Sequence, residues 1–98
     1  MSEIFITLNN FDEFDNPFWP KPGEVLRLKK DPTNCYDDEA IVAYREQSKI
    51  AYVANSVDTV ARGTYSSGRL YDHIKNEQKI QVMFVLDEFA IAKVMVEK

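Results

Sequence analysis

The chain has 98 residues, 45% of them hydrophobic and 29% charged, with a formal net charge of -4. That length reads as one domain, residues 1–98, with one modest core, and the acidic total argues against a non-specific nucleic-acid coat protein. A single cysteine excludes an intrachain disulfide and fits a reducing, cytoplasmic setting. The N-terminus lacks a basic segment followed by an apolar core, and no apolar run approaches the roughly 18–20 residues that cross a bilayer.

Residues 3–9 alternate Ile4, Ile6 and Leu8 with Phe5 and Thr7, which predicts a first β-strand. Residues 9–22 carry Pro17, Pro20 and Pro22 among Asn and Asp, a pattern that prevents regular structure. The same connection holds Phe11, Phe14, Phe18 and Trp19. Phe11 and Trp19 read as plugs of the core, and Phe14 and Phe18 as rings more open to a surface role. Residues 24–30 predict a second strand with Leu26 and Leu28 on one face and Val25, Arg27 and Lys29 on the other. A polar loop of about ten residues follows, longer than a tight hairpin needs. Residues 40–44 and 49–53 then predict a hairpin around a short turn at 46–48.

Asn55 or Ser56 can cap a short helix through Val57, Val60 and Ala61 that Gly63 ends, and Ser66 or Ser67 a second through Leu70, Tyr71 and Ile74. Residues 79–86 and 89–96 predict two last strands around Asp87-Glu88. About six strands and two short helices make a mainly β chain. Short turns between the strands predict a small antiparallel barrel of the OB or SH3 type, its helices covering one end or an open seam.

Catalytic chemistry is sparse. Cys35 and His73 are far apart and match no metal-ligand spacing, and Cys35 reads as a small semi-buried loop residue. Asp37-Asp38-Glu39 offers oxygen ligands, but three adjacent loop acids are more simply solvated. Neither a phosphate-cradling glycine motif nor a nucleophile–base pair appears. These residues predict no catalytic site, no metal site and no cofactor. What remains is a binding constellation. Arg27, Lys29 and Lys30 supply cations just before the loop, Tyr36 a stacking face, Asp37 a hydrogen-bond acceptor, and Phe11 and Phe14 further rings. Cations for phosphates and rings for bases are what a single-strand binder needs. Lys49 and Arg69 join the cations if the fold brings them near. A protein-interaction or adaptor module is the alternative, with Phe14, Phe18 and Trp19 as its exposed anchor.

The run Gly23-Glu24-Val25-Leu26-Arg27-Leu28-Lys29-Lys30-Asp31-Pro32-Thr33-Asn34-Cys35-Tyr36-Asp37-Asp38-Glu39-Ala40-Ile41 resembles the loop motif of the HIRAN domain family. Ser48-Lys49-Ile50-Ala51-Tyr52-Val53-Ala54 is similar to the family's second motif, and the stretch from Val53 to Asp72 resembles its stand-alone bacterial members. The resemblance spans about residues 4–96. It implies a small β-barrel with two helices and a non-enzymatic role in DNA repair or replication. It also implies binding of single-stranded DNA at a free 3′-hydroxyl end. By the same resemblance Tyr36 and Asp37 hold the terminal nucleotide, and Phe11 and Phe14 are the nearest counterparts of an aromatic pair that stacks on bases. The chain departs from the pattern at Cys35, Glu39, Ala51 and Ala54, and Asp38 and Glu39 add negative charge beside the implied phosphate path.

Overall fold

A computed structural model describes residues 3–14, 19–35, 37–56 and 58–95. Its strands are β1 (Phe5–Asn9), β2 (Val25–Lys30), β3 (Ile41–Arg45), β4 (Ser48–Val53), β5 (Glu77–Val85) and β6 (Ala90–Val94). A 3-10 turn spans Phe11–Glu13, and one α-helix, α1, spans Ser67–Tyr71. The strands close into an antiparallel barrel in the order β1-β4-β3-β2-β5-β6. Closure leaves no free sheet edge.

Period-2 alternation builds the interior. Ile6, Leu8, Leu26, Leu28, Ile41, Ile50 and Ile80 are fully or almost fully buried, and each such side chain contributes about 1.5–3 kcal/mol. β2 follows its predicted faces, with Leu26 and Leu28 inside and Val25, Arg27 and Lys29 exposed. β4 breaks strict alternation. Ala43 pairs with Ala51 but Tyr44 pairs with Lys49, so Ile50 is an extra residue on β4. This bulge turns both Ile50 and Ala51 inward and leaves Lys49 outside, opposite Tyr44.

Only one of the two predicted helices forms. The described residues of 55–63 make turns, with Thr59 and Val60 both donating their N–H to Ser56 O. The reason lies on β1. Thr7 points away from the interior yet is completely buried. Its Oγ1 accepts the Ala61 N–H at 3.1 Å, and its hydroxyl lies 2.9 Å from Thr64 Oγ1, which itself donates to Ala61 O. With Ala54 N bonded to Thr7 O and Tyr65 N to Phe5 O, the segment becomes a strap over β1. Tertiary partners for these backbone groups replace the helical ones. The second helix is real but short. Ser66 Oγ accepts the Arg69 N–H as its cap, and Leu70 and Ile74 reach the core.

Glu24 and Arg45 tie the start of β2 to the end of β3. Arg45 Nε and Nη2 donate to the two carboxylate oxygens, and Nη2 also donates to Trp19 O. The guanidinium's hydrogen bonds hold the Glu24 carboxyl below its usual range against the opposing effect of burial, and the carboxylate raises Arg45 in turn.

Candidate functional site

The 31–40 loop is closed at its base, where Asp31 N donates to Ala40 O at 2.8 Å. Within it, Asn34 Oδ1 accepts the Asp37 N–H at 3.0 Å, and Ala40 N donates to Asp37 O. The Asp37 carboxylate is engaged on both oxygens. Oδ1 accepts the Glu39 N–H at 2.9 Å, and Oδ2 accepts from Asn55 Nδ2 at 2.8 Å. Asn55 also accepts, through Oδ1, the Gly68 N–H at 2.8 Å. Ser67 Oγ donates to Glu39 O at 2.6 Å. One asparagine thus couples the loop, the end of β4 and the start of α1. Gly68 belongs to this brace, because a Cβ there would stand 2.7 Å from Glu39 Oε1 and 3.3 Å from Asn55 Oδ1.

A cleft of about 420 Å³ opens beside the loop, lined by Asn9, Asn34, Asp37, Tyr52, Asn55 and other residues. It exists because β1 and β4 pair over only two positions, Leu8 with Val53 and Asn9 with Tyr52. Beyond them Asn10 takes a left-handed conformation (φ 60) and diverts the chain into the 3-10 turn. Asn9, Asn34, Asp37, Tyr52 and Asn55 are all half-buried, so the cleft concentrates polar groups with partly available lone pairs and protons. Its charged lining residues are Glu13 and Asp37, both acidic.

Tyr36 lies outside the described residues, as does Phe18. Phe11 is 3% exposed and belongs to the core, so its ring is not offered to a ligand. Phe14 packs on Tyr52, a cleft residue, with ring centroids 5.2 Å apart. Trp19 is not a plug. It lies over Phe11 at 5.1 Å and is 44% exposed. Cys35 is exposed rather than semi-buried. The Asp37-Asp38-Glu39 carboxylates come within 4.8 Å of one another, and each Asp37 oxygen accepts one hydrogen bond of the brace.

The three cations before the loop do not act as a group. Arg27 and Lys29 project from the outer face of β2. Arg27 meets Glu77 at 3.5 Å, and Lys29 Nζ stands 5.2 Å from the Tyr44 ring centroid. Lys30 is out of phase with them by one residue, and its Nζ sits 4.5 Å from the Tyr71 ring centroid beside α1. Arg69 stacks on Tyr65 at 3.9 Å. The composition did not point to Tyr52 or Asn55 as site residues. Tyr52 sits in the second of the two motifs and Asn55 directly after it, and only the pairing of β1 with β4 and the loop's own hydrogen bonds bring them to Asp37.

Register joins the cleft to the cations. Asn9, Tyr52, Val42, Lys29 and Glu77 are successive partners across β1, β4, β3, β2 and β5, on the outer face. Tyr52 lines the cleft, and Lys29 stands two strands away, about 10 Å at the ordinary strand spacing. Val42, between them, is 1% exposed although it lies outside the core cluster.

No protein-family model, no curated protein and no solved structure matches this chain. The HIRAN resemblance therefore rests on the residues quoted above. Among the described residues no helix is long and apolar enough to cross a membrane.

Proposed function

We propose that the protein is a non-enzymatic, HIRAN-like module that binds single-stranded DNA and takes its free 3′-hydroxyl end into the Asp37 cleft. The observation that carries this reading is the register row from Tyr52 in the cleft to Lys29 on the outer face. It puts a hydroxyl-accepting, acidic cleft next to a cationic surface. A neutral sugar hydroxyl needs an acceptor, and each Asp37 carboxylate oxygen, which accepts one hydrogen bond of the brace, has a second lone pair to offer. A terminal phosphate there would meet Asp37 and Glu13, whereas phosphates further along the strand would meet Lys29 and Arg27. The family resemblance assigns stacking on the terminal base to Tyr36. Tyr52 lines the same cleft, with Phe14 packed against its ring.

Fluorescence anisotropy with matched 3′-hydroxyl and 3′-phosphate oligonucleotides tests this. The hydroxyl form binds more tightly if the cleft reads the end. Equal affinity for both, or no binding at micromolar protein, would sink end recognition.

The adaptor reading has its own observation. Trp19, Val25, Met83, Phe84 and Leu86 are all 40–51% exposed, Trp19 and Leu86 line one surface cleft together, and exposed large aromatic and apolar residues are what interaction surfaces use. Light scattering over a concentration series separates the two readings. Association that grows with concentration and is lost in Trp19→Ala favours the adaptor.

A further inference from the structure

A second row of outward residues lies beside the first. Lys49, Tyr44, Arg27 and Lys79 are successive register partners across β4, β3, β2 and β5. Lys49, Arg27 and Lys79 are exposed and Tyr44 is half-buried. The bulge at Ile50 creates this alignment, since unbroken alternation would turn Lys49 inward and set Ile50 against Tyr44. Lys29 of the first row joins it, with its ammonium over the Tyr44 ring. The two rows thus carry four cations and two aromatic rings, Tyr52 at the cleft and Tyr44 among the cations. Their one acid on these strands is Glu77, which meets Arg27. In a chain with a net charge of -4, this is a local reversal of sign. The second row spans four strands, about 14 Å.

We propose that this face is a second binding site, a platform for internal nucleotides of a single strand, with Tyr44 as its stacking ring and Lys29, Arg27, Lys49 and Lys79 as its phosphate contacts. The proposal rests on the nucleic-acid reading but not on end recognition. A base stacks on Tyr44 only if it is unpaired, which selects single strands over duplex. A cation–π contact at an exposed site is weaker than base stacking on a ring. A base can therefore take the Tyr44 face while Lys29 swings to the adjoining phosphate. The end cleft alone requires a terminus; the platform does not.

The test is a covalently closed single-stranded DNA circle, compared with a linear strand and a duplex of the same composition in salt-titrated anisotropy. The platform requires that the circle binds and that the duplex binds more weakly. Lys49→Ala combined with Lys79→Ala should weaken circle binding several-fold and flatten the slope of log K against log[salt] by about 1.4, at about 0.7 per single-strand phosphate. Tyr44→Leu should weaken it by roughly tenfold with the salt slope unchanged, and circular dichroism checks that each variant is folded. A circle that fails to bind where a 3′-hydroxyl strand binds overturns the platform and leaves the cleft. Circle binding that depends on Lys49 and Lys79, with equal affinity for 3′-hydroxyl and 3′-phosphate ends, overturns the cleft and leaves the platform. Polyglutamate that displaces the circle equally from wild type and Tyr44→Leu would make the face a general polyanion site and overturn the proposal.

Discussion

Asn55→Ala tests whether the candidate site is held by its own hydrogen bonds. The substitution removes two contacts, the donation to Asp37 Oδ2 and the acceptance from Gly68 N, both at 2.8 Å. A hydrogen bond to an ionised group contributes about 1.5–3 kcal/mol net and one between neutral groups about 0.5–1.5. Asn55 and Asp37 are only half-buried, so water replaces part of what is lost. We expect a loss of about 2 kcal/mol, which for a domain of this size lowers Tm by about 10 °C. Urea denaturation followed by tryptophan fluorescence gives the free energy, and Trp19 is the chain's single tryptophan. Asn55→Asp sharpens the test. It sets a second carboxylate against Asp37, so one of the pair is protonated more readily in the folded state than in the unfolded one. A raised folded-state pKa of an acid favours folding at low pH, so the deficit of this variant relative to wild type should shrink on acidification from pH 7 to pH 4. If Asn55→Ala costs less than about 0.5 kcal/mol, the brace contributes little and the cleft must be shaped by the barrel alone.

Two further outcomes follow from the fold. Glu24 has its pKa lowered in the folded state by Arg45, so its contribution is present above the ordinary value of 4.5 and is lost as the pH falls through the lower folded value; Glu24→Gln should therefore be less stable than wild type at pH 7, and the difference should narrow progressively as the pH falls below 4.5 in parallel thermal melts. Glu46 occupies a left-handed conformation (φ 57) in the two-residue turn between β3 and β4, and Glu46→Gly should relieve about 1 kcal/mol of strain and raise Tm by several degrees in scanning calorimetry.

How far the site was legible depends on where each partner lies in the chain. Asp37 and its loop were marked by local composition, because a long polar connection between alternating segments is visible in a few adjacent residues. The brace was not, since its central residue is 18 positions away. Likewise the grouping of Arg27, Lys29 and Lys30 followed from adjacency, but in a strand adjacent side chains point to opposite faces. Lys30 therefore leaves for Tyr71, and Lys49 and Lys79 take its place beside Arg27.

By itself, the sequence determined the strands and the inward faces of β1 and β2, because alternation of Ile6 with Thr7, and of Leu26 and Leu28 with Arg27 and Lys29, is a local property with one low-energy outcome. The tertiary structure alone decided the rest. Thr7, 54 residues away, takes the Ala61 N–H that a helix over 55–61 would have used, and so makes that segment a strap. The extra residue Ile50 sets which side chains stand together on the outer face. The strap depends on backbone groups finding partners far along the chain, which only the closed barrel brings within hydrogen-bond distance, and the bulge depends on the register that β3 and β4 adopt within their hairpin.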